Sequence, residues 1–494
     1  MLEVLSLVRS MKNTFASINR IPQGVLSLIP DYCNTDDELV ALTHVCRGWR
    51  EHFISRSSLW TSLDCARVEQ TRAYLERSNA SPLKIRLVGK DRTPFLSDAF
   101  LLTVPHLDRP RNLIVSGSSS NFLQLIKYFT FPAPLLEKLD LDFSRTESPV
   151  IRDLIFYGDF SSLRELRLAG VITDMGRQKL SNLTTFDLCR VPSHKISVTW
   201  LLNLFEHAPL RKIRLHDAFP RSSDAPPGRV VSLPHLKSLT IVAQPVHTIL
   251  LNHMLIPTGA SLTQRLNLSG NESPIHTHLP KALKNLNHVS RIASINLSFG
   301  LRLFLGLVGP SGAHHVFGDW DSPSPFPLTP DWRVLQSSTV FHISGVERLA
   351  IDQYTTPPPT RIEKSPVYQT LLLMNNLRTV ALTESLDLPF VLALDPGQNP
   401  SRTVVCSRLE EIVLCIVDKD GLHVSGLLEM AKRRVSSGAK LSAITVVIPR
   451  ELVSAKEVLK LREYVSRVEY RLGGVIPEWC IIPDDGDNAG YKSD

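Results

Sequence analysis

The pattern L-x-x-L-x-L, with Ile, Val or Phe allowed at the apolar places, recurs along most of this chain and constrains its fold more than any other feature. It reads Leu136-Leu139-Leu141, Leu163-Leu166-Leu168, Leu183-Phe186-Leu188, Leu210-Ile213-Leu215 and Leu236-Leu239-Ile241. It returns at Leu266-Leu268, Ile292-Ile295-Leu297, Val346-Leu349-Ile351, Leu377-Val380-Leu382, Leu409-Ile412-Leu414 and Leu441-Ile444-Val446. Weaker starts are Ile85-Leu87 and Leu113-Val115. The alternation in each L-x-L pair is that of a short strand with one buried face. One such strand cannot bury its face alone, so the units must stack.

The first leucines step by 27, 20, 27 and 26 residues from Leu136 to Leu236, and by 31, 32 and 32 from Val346 to Leu441. The interval from Ile292 to Val346 leaves room for one degenerate unit. The spacing resembles that of leucine-rich repeats, whose period is about 20–29 residues. The expected fold class is α/β, with returning segments such as Asn121–Phe129 and Ser197–Ala208 as helices. A doubly wound sheet is the alternative, and it needs more fully apolar strands than these alternating ones. Residues between the inward leucines are expected on the exposed side of the strand layer, where a stacked array holds partners. Early ones are charged: Lys138, Asp140, Asp142, Glu165, Arg167, Lys212, Arg214 and His216. Later ones are smaller: Ser294, Asn296, Ser298, Thr379, Ala381 and Thr383.

Residues 19–63 follow another period. Ile21-Pro22 opens a run with Val25, Leu26 and Ile29 on one helical face, and proline suits a first helical turn. Thr35 and Glu38 have the spacing of a capping box. Leu39, Leu42, Cys46, Trp49 and Phe53 then form one stripe, expected along a single helix of about four to five turns. Ser57-Ser58-Leu59-Trp60 adds two more large apolar side chains. A piece this small cannot bury them all by itself. They either pack onto the next domain or dock a partner.

The string Ile21-Pro22-x-x-Val25-Leu26-x-x-Ile29, then Leu42-Thr43-His44-Val45-Cys46-Arg47-Gly48-Trp49-Arg50, then Ser58-Leu59-Trp60, resembles an F-box. It is especially similar to the F-box-like form of mushroom-type fungal proteins, in which LW-x-x-L and L-x-R-S-x-x-x-P-L segments follow. Here these are Leu59-Trp60-Thr61-Ser62-Leu63 and Leu75-Glu76-Arg77-Ser78-Asn79-Ala80-Ser81-Pro82-Leu83. Where the family favours Leu-Pro and then an acid, this chain has Ile21-Pro22-Gln23-Gly24. The resemblance implies a three-helix unit that binds the Skp-type adaptor of an SCF-type cullin–RING ubiquitin ligase. It places Pro22, Val25, Leu26, Ile29, Val45, Trp49, Leu59 and Trp60 at that interface. It also implies a non-catalytic protein whose repeats recruit a target for ubiquitination. A repeat scaffold with no link to a ligase is the other reading.

These expectations give an extension over 1–17, an F-box-like unit over 18–65, a leucine-rich-repeat-like solenoid over 66–482 and a flexible acidic tail over 483–494. Proline-dense insertions near 219–230, 309–331 and 355–366 read as loops, because proline removes ladder donors. The seven cysteines include no C-x-x-C pair, so a reducing compartment, cytoplasmic or nuclear, is expected. The composition, 43% hydrophobic, excludes a wholly disordered chain. No stretch reaches about 18 uninterrupted apolar residues, so no membrane partner is expected, and the acidic start does not suit a secretory signal. The first 80 residues are neutral, and the whole +7 surplus is dispersed downstream, which does not point to nucleic acid.

No cofactor or metal is expected. Gly306-Leu307-Val308-Gly309-Pro310-Ser311-Gly312 lacks the lysine and Ser/Thr of a phosphate loop. His276, His278, His314 and His315 have no completing ligand set nearby.

Overall fold

The computed structural model describes residues 15–89, 98–118, 125–129, 132–143, 150–151, 160–173, 180–218, 220, 224–226, 228–243, 250–268, 294–299, 302–309, 312–320, 343–352, 365–384, 388–398, 404–416, 424–448 and 458–472, with Val4 and Met11. The protein is mixed α/β with a large, mainly parallel sheet and no closed barrel, and nine α-helices lie among the described residues. It divides into two compact units, Met1–Phe186 and Asp187–Asp494.

The first unit opens with helices α1 (Gln23–Leu26), α2 (Asp36–Leu42) and α3 (Arg47–Ile54). Strand β1 (Ser62–Asp64), helix α4 (Val68–Ser78), β2 (Leu83–Val88), α5 (Asp98–Thr103), β3 (Pro110–Ser116), β4 (Lys138–Asp142) and β6 (Glu165–Ala169) follow. Neighbouring main strands are parallel and follow chain order: β1 with β2, β2 with β3, β3 with β4, and β4 with β6. The short β5 (Val150–Ile151) and β7 (Ile172–Thr173) pair separately. In register, Leu113, Leu139 and Leu166 form one buried row, and Val115, Leu141 and Leu168 the next.

Strand β8 (Thr185–Cys189) carries the boundary between the units. The second unit contains α6 (Val198–Glu206), β9 (Lys212–His216), β10 (Val231–Ser232), β11 (Ser238–Ala243), β12 (Met254–Leu255) and β13 (Ser261–Leu268). Next come β14 (Ser294–Phe299), β15 (Arg302–Gly309), β16 (Gly312–Trp320) and β17 (Arg348–Asp352). Helices α7 (Pro366–Leu373), α8 (Leu388–Leu394) and α9 (Val424–Ser436) alternate with β18 (Thr379–Glu384), β19 (Glu411–Ile416), β20 (Ala443–Ile448) and β21 (Arg467–Leu472). β9, β11 and β13 pair in parallel, as do β17 through β21 in chain order.

Seven of the strands are preceded by the same local turn. Leu136 donates its N–H to Ala133 O at 3.0 Å, Leu163 to Phe160 O, Leu183 to Leu180 O and Leu236 to Leu233 O. Later units repeat it with Val346 to Ile343, Leu377 to Met374 and Leu409 to Cys406. All seven acceptor residues are buried. The working motif therefore has an apolar place three residues before the first leucine, which the L-x-x-L-x-L pattern misses.

Four expectations are corrected. The unit placed at Leu266-Leu268 sits four residues earlier, because Leu239 and Ile241 face Leu262 and Gln264. Gln264 stands where a leucine was sought, and it is buried. The space before Val346 holds an antiparallel hairpin, not a degenerate unit. β16 pairs parallel with β13 and antiparallel with β15, and β15 pairs antiparallel with β14, which pairs parallel with β17. The 312–320 part of the expected 309–331 loop is thus strand β16, whose span contains no proline. Gly306 to Gly309 of the glycine-rich stretch lie in β15, with Gly309 opposite Gly312.

Ala381 is the fourth correction, since it is buried and not exposed. Thr379 is half-buried, and the side chains of Ser294, Asn296, Ser298 and Thr383 lie outside the described residues. So do His276, His278, residues 483–494, most of 355–366 and the side chains of His314 and His315. Of the helix expected at Asn121–Phe129, a 3-10 turn at Ile126–Tyr128 is described, whereas Ser197–Ala208 contains α6.

Two thiols test this packing. Burial pushes the thiols of Cys65 and Cys406 up to about 12. At about pH 8 both therefore stay protonated and should resist maleimide until the protein unfolds. Labelling of either at the rate of a free thiol would contradict the described core.

Candidate functional site

The N-terminal helices are built around a core of Leu26, Trp49 and Phe53, with Ile21, Ile29, Leu42, Cys46 and Leu59 packed against it. The rings of Trp49 and Phe53 meet edge to face at 5.7 Å. The capping box forms: Thr35 Oγ1 accepts from Glu38 N–H at 3.2 Å, and Glu38 Oε2 accepts from Thr35 N–H at 3.3 Å. The expected single long helix is broken at 43–46, where Cys46 is extended at φ −158°. Thr43 Oγ1 donates to Val40 O at 2.7 Å, and Arg50 Nε donates to Thr43 O at 3.0 Å, so the break is hydrogen-bonded. The apolar stripe survives because the turn returns Trp49 and Phe53 to the side of Leu42.

The eight expected interface residues divide by exposure. Pro22, Val25 and Val45 are exposed, and Ile29 and Leu59 are half-buried. Leu26, Trp49 and Trp60 are interior. Trp60, fully buried, lies edge to face with Tyr74 at 5.1 Å, under the Arg77 guanidinium at 4.6 Å, and donates Nε1–H to Phe53 O at 3.0 Å. It ties the helices to α4. Gln70 donating to Asp36 at 3.0 Å adds to this tie, and Arg56 donating to Ser27 O at 2.7 Å holds the helical unit together within itself. A recess of about 230 Å³ lies beside it, lined by Asp36, Asp37, Asp64, Arg67 and Gln70. Burial, with the nearby Asp64 and Asp37, pushes the Asp36 carboxyl up.

The pattern missed other exposed apolar side chains: Phe15, Ile18, Leu28 and Tyr32. Leu28 and Tyr32 fall off the Leu26–Ile29 stripe, and that was the available signal. Eight of the fifteen large apolar side chains found exposed among the described residues lie in the first 45 positions. Solvent-facing apolar surface is thus concentrated at the helical end, as at an interaction site.

Gly24, inside α1, has nothing within 4 Å of where a Cβ would stand. Gly24→Ala should therefore stabilise the protein by about 0.5–1 kcal/mol, read from the denaturation midpoint. A fall in that midpoint would show that the first turn needs glycine.

The charged strand residues are placed as follows. In the first unit Arg167 bridges Asp140 at 3.3 Å and Asp142 at 3.6 Å, and Lys138 pairs with Glu165 at 2.9 Å. Burial pushes the Asp140 carboxyl up while Arg167 pulls it back. In the second unit Lys212, Arg214 and His216 are half-buried on β9, with His216 Nε2 3.3 Å from Asp217. Among the described residues no cluster of three or more His, Cys, Asp or Glu could hold a metal, and no helix is long and apolar enough to cross a membrane.

No family model matches the chain, and no curated protein matches it at a significant level.

Proposed function

We propose that residues 18–65 are an F-box-like unit that docks a Skp-type adaptor of an SCF-type cullin–RING ubiquitin ligase. The repeats downstream form a leucine-rich-repeat-like solenoid that recruits a target protein. The observation carrying this reading is the exposed apolar side chains Pro22, Val25, Leu28, Tyr32 and Val45 on a helical unit whose core is already filled by Leu26, Trp49 and Phe53. Such residues suit partner pockets, with polar surroundings excluding water from the contact. The stacked strands with their repeated turns supply an extended surface for a target. The protein has no chemistry of its own in this reading. It holds the target near the charged ubiquitin-conjugating enzyme and so raises the effective concentration of target lysines.

A second reading is favoured by Trp60, which packs on Tyr74 and Arg77. The helical unit is then only an end cap for the repeats of a scaffold protein. Calorimetry of the intact protein with a purified Skp-type adaptor separates the two. Saturable 1:1 binding is expected, and no heat and no co-elution at micromolar concentrations would favour the cap.

A further inference from the structure

Strands β9, β11 and β13 of the second unit stack in parallel register. Across their outward face Lys212, Ser238 and Ser261 form one row, Arg214, Thr240 and Thr263 the next, and His216, Val242 and Arg265 the third. None of these nine residues is an acid, and three are Lys or Arg. All three cations, His216 and Thr263 are half-exposed. Among the described residues Lys212 has no ion-pair partner. The flanks keep the same sign. His216 meets Asp217, and Asp187 lies on β8, whereas Arg190, Arg211 and Lys237 are all exposed beside the strand ends.

The other charged strand faces mix both signs. In the first unit Lys138 pairs with Glu165, Arg167 with Asp140 and Asp142, and Arg86 stands beside Asp64 in register. On β19 and β21 Glu411 and Glu469 answer Arg467 and Arg471. There the protein neutralises its own charges. The face of β9, β11 and β13 keeps a positive surplus, which suits an anionic partner.

We infer that this face holds an extended acidic segment of a partner protein. Lys212, Arg214 and His216 follow one another at about 6.6 Å along β9, and alternate side chains of an extended chain repeat at about 6.8 Å. Carboxylates at every second residue of such a segment therefore fall over successive cations. Arg265 stands two strand spacings away, about 10 Å, and bounds the far side of the strip. The hydroxyls of Ser238, Thr240 and Thr263 lie between and can donate to carboxylate oxygens. Single-stranded nucleic acid suits the face less well, because none of the nine residues is Phe, Tyr or Trp, on which bases stack. The inference rests on the repeats binding a target through their strands, and it is independent of adaptor docking at the helical end.

The test is fluorescence anisotropy of the full-length protein with a labelled peptide of alternating Asp and Ser, about ten residues long. The comparison peptide has Asn in place of every Asp. The acidic peptide is expected to bind about tenfold more tightly, and its affinity to fall as salt is raised. Lys212→Gln with Arg265→Gln should weaken it about tenfold. Lys84→Gln with Arg86→Gln, which removes the same charge from the first unit, should change it less than about twofold. If the first double variant melts early, Lys212→Gln alone should still weaken binding about threefold. Equal binding of the two peptides, no binding of either, an equal loss in both double variants, or tighter binding of an oligothymidylate of the same length would overturn the assignment. The same variants are titrated with the Skp-type adaptor, whose affinity should not change, so failure of the acidic contact and failure of adaptor docking are read separately.

Discussion

Replacing Val25 and Val45 together by Asp is expected to weaken binding of a Skp-type adaptor about a hundredfold while leaving the thermal midpoint within about 2 °C. Both side chains are about half exposed, at 52% and 48%, so charging them opens no core. In a docked complex each would carry an unpaired charge into a dry contact, and interface positions of that kind lose about 1–2 kcal/mol or more apiece. Trp49 and Leu26 are poorer probes, although the sequence resemblance names them. Both are interior, so Trp49→Ala would cost about 3–5 kcal/mol of folding and blur any loss of binding. Calorimetry and a melting curve on the same sample check the prediction. Unaltered affinity in the double variant would place the adaptor contact elsewhere, or nowhere.

Arg434→Met is expected to lower folding stability by about 2–4 kcal/mol. Arg434 is fully buried on α9, and its pKa is pushed down by that burial. Its guanidinium donates to Leu394 O at 3.3 Å, Val405 O at 2.9 Å and Cys406 O at 2.9 Å. Cys406 sits at φ +49°, a left-handed conformation that a residue with a side chain adopts only when its surroundings hold it there. Methionine fills the space but removes the donor shared by these three buried carbonyls, of which Cys406 O still accepts from the Leu409 N–H. Lysine keeps the charge and loses the fork that reaches all three, so Arg434→Lys should also destabilise. The neighbouring Arg433, paired with Asp395 at 2.8 Å, remains as an internal reference for the helix. Chemical denaturation gives the number, and a change below about 0.5 kcal/mol would mean that the carbonyls find water or new partners.

The strands were legible because their signal is local. Leu139 and Leu141 must both point inward, and period two says so without reference to anything distant. The capping box at Thr35 and Glu38 was legible for the same reason. What escaped depends on partners far along the chain. The break at 43–46 rests on Arg50 reaching back to Thr43 O. The hairpin of β15 and β16 rests on β13 accepting β16 as a parallel neighbour. At β13 the inward places hold Leu262 and Gln264, so a search for leucine settled on Leu266 and Leu268. In the candidate site, composition showed which residues were apolar. It did not show that Trp60 would turn toward Tyr74 while Val25 faced solvent, because exposure is decided by which distant parts of the chain pack over each side chain.

The last strand also bears on how the protein behaves at high concentration. Among the described residues β21 pairs only with β20, so its other edge is a ready template for a strand of another molecule. Suppose a second copy added its own β21 there. In antiparallel register about Glu469, Arg467 of one copy would meet Arg471 of the other, and Glu469 would meet Glu469. In parallel register every charge would face its own kind. Like charges directly opposite weaken a strand pair, so these two in-register pairings are repelled. The order Arg-x-Glu-x-Arg therefore disfavours these two in-register pairings while leaving the ladder inward to β20 intact.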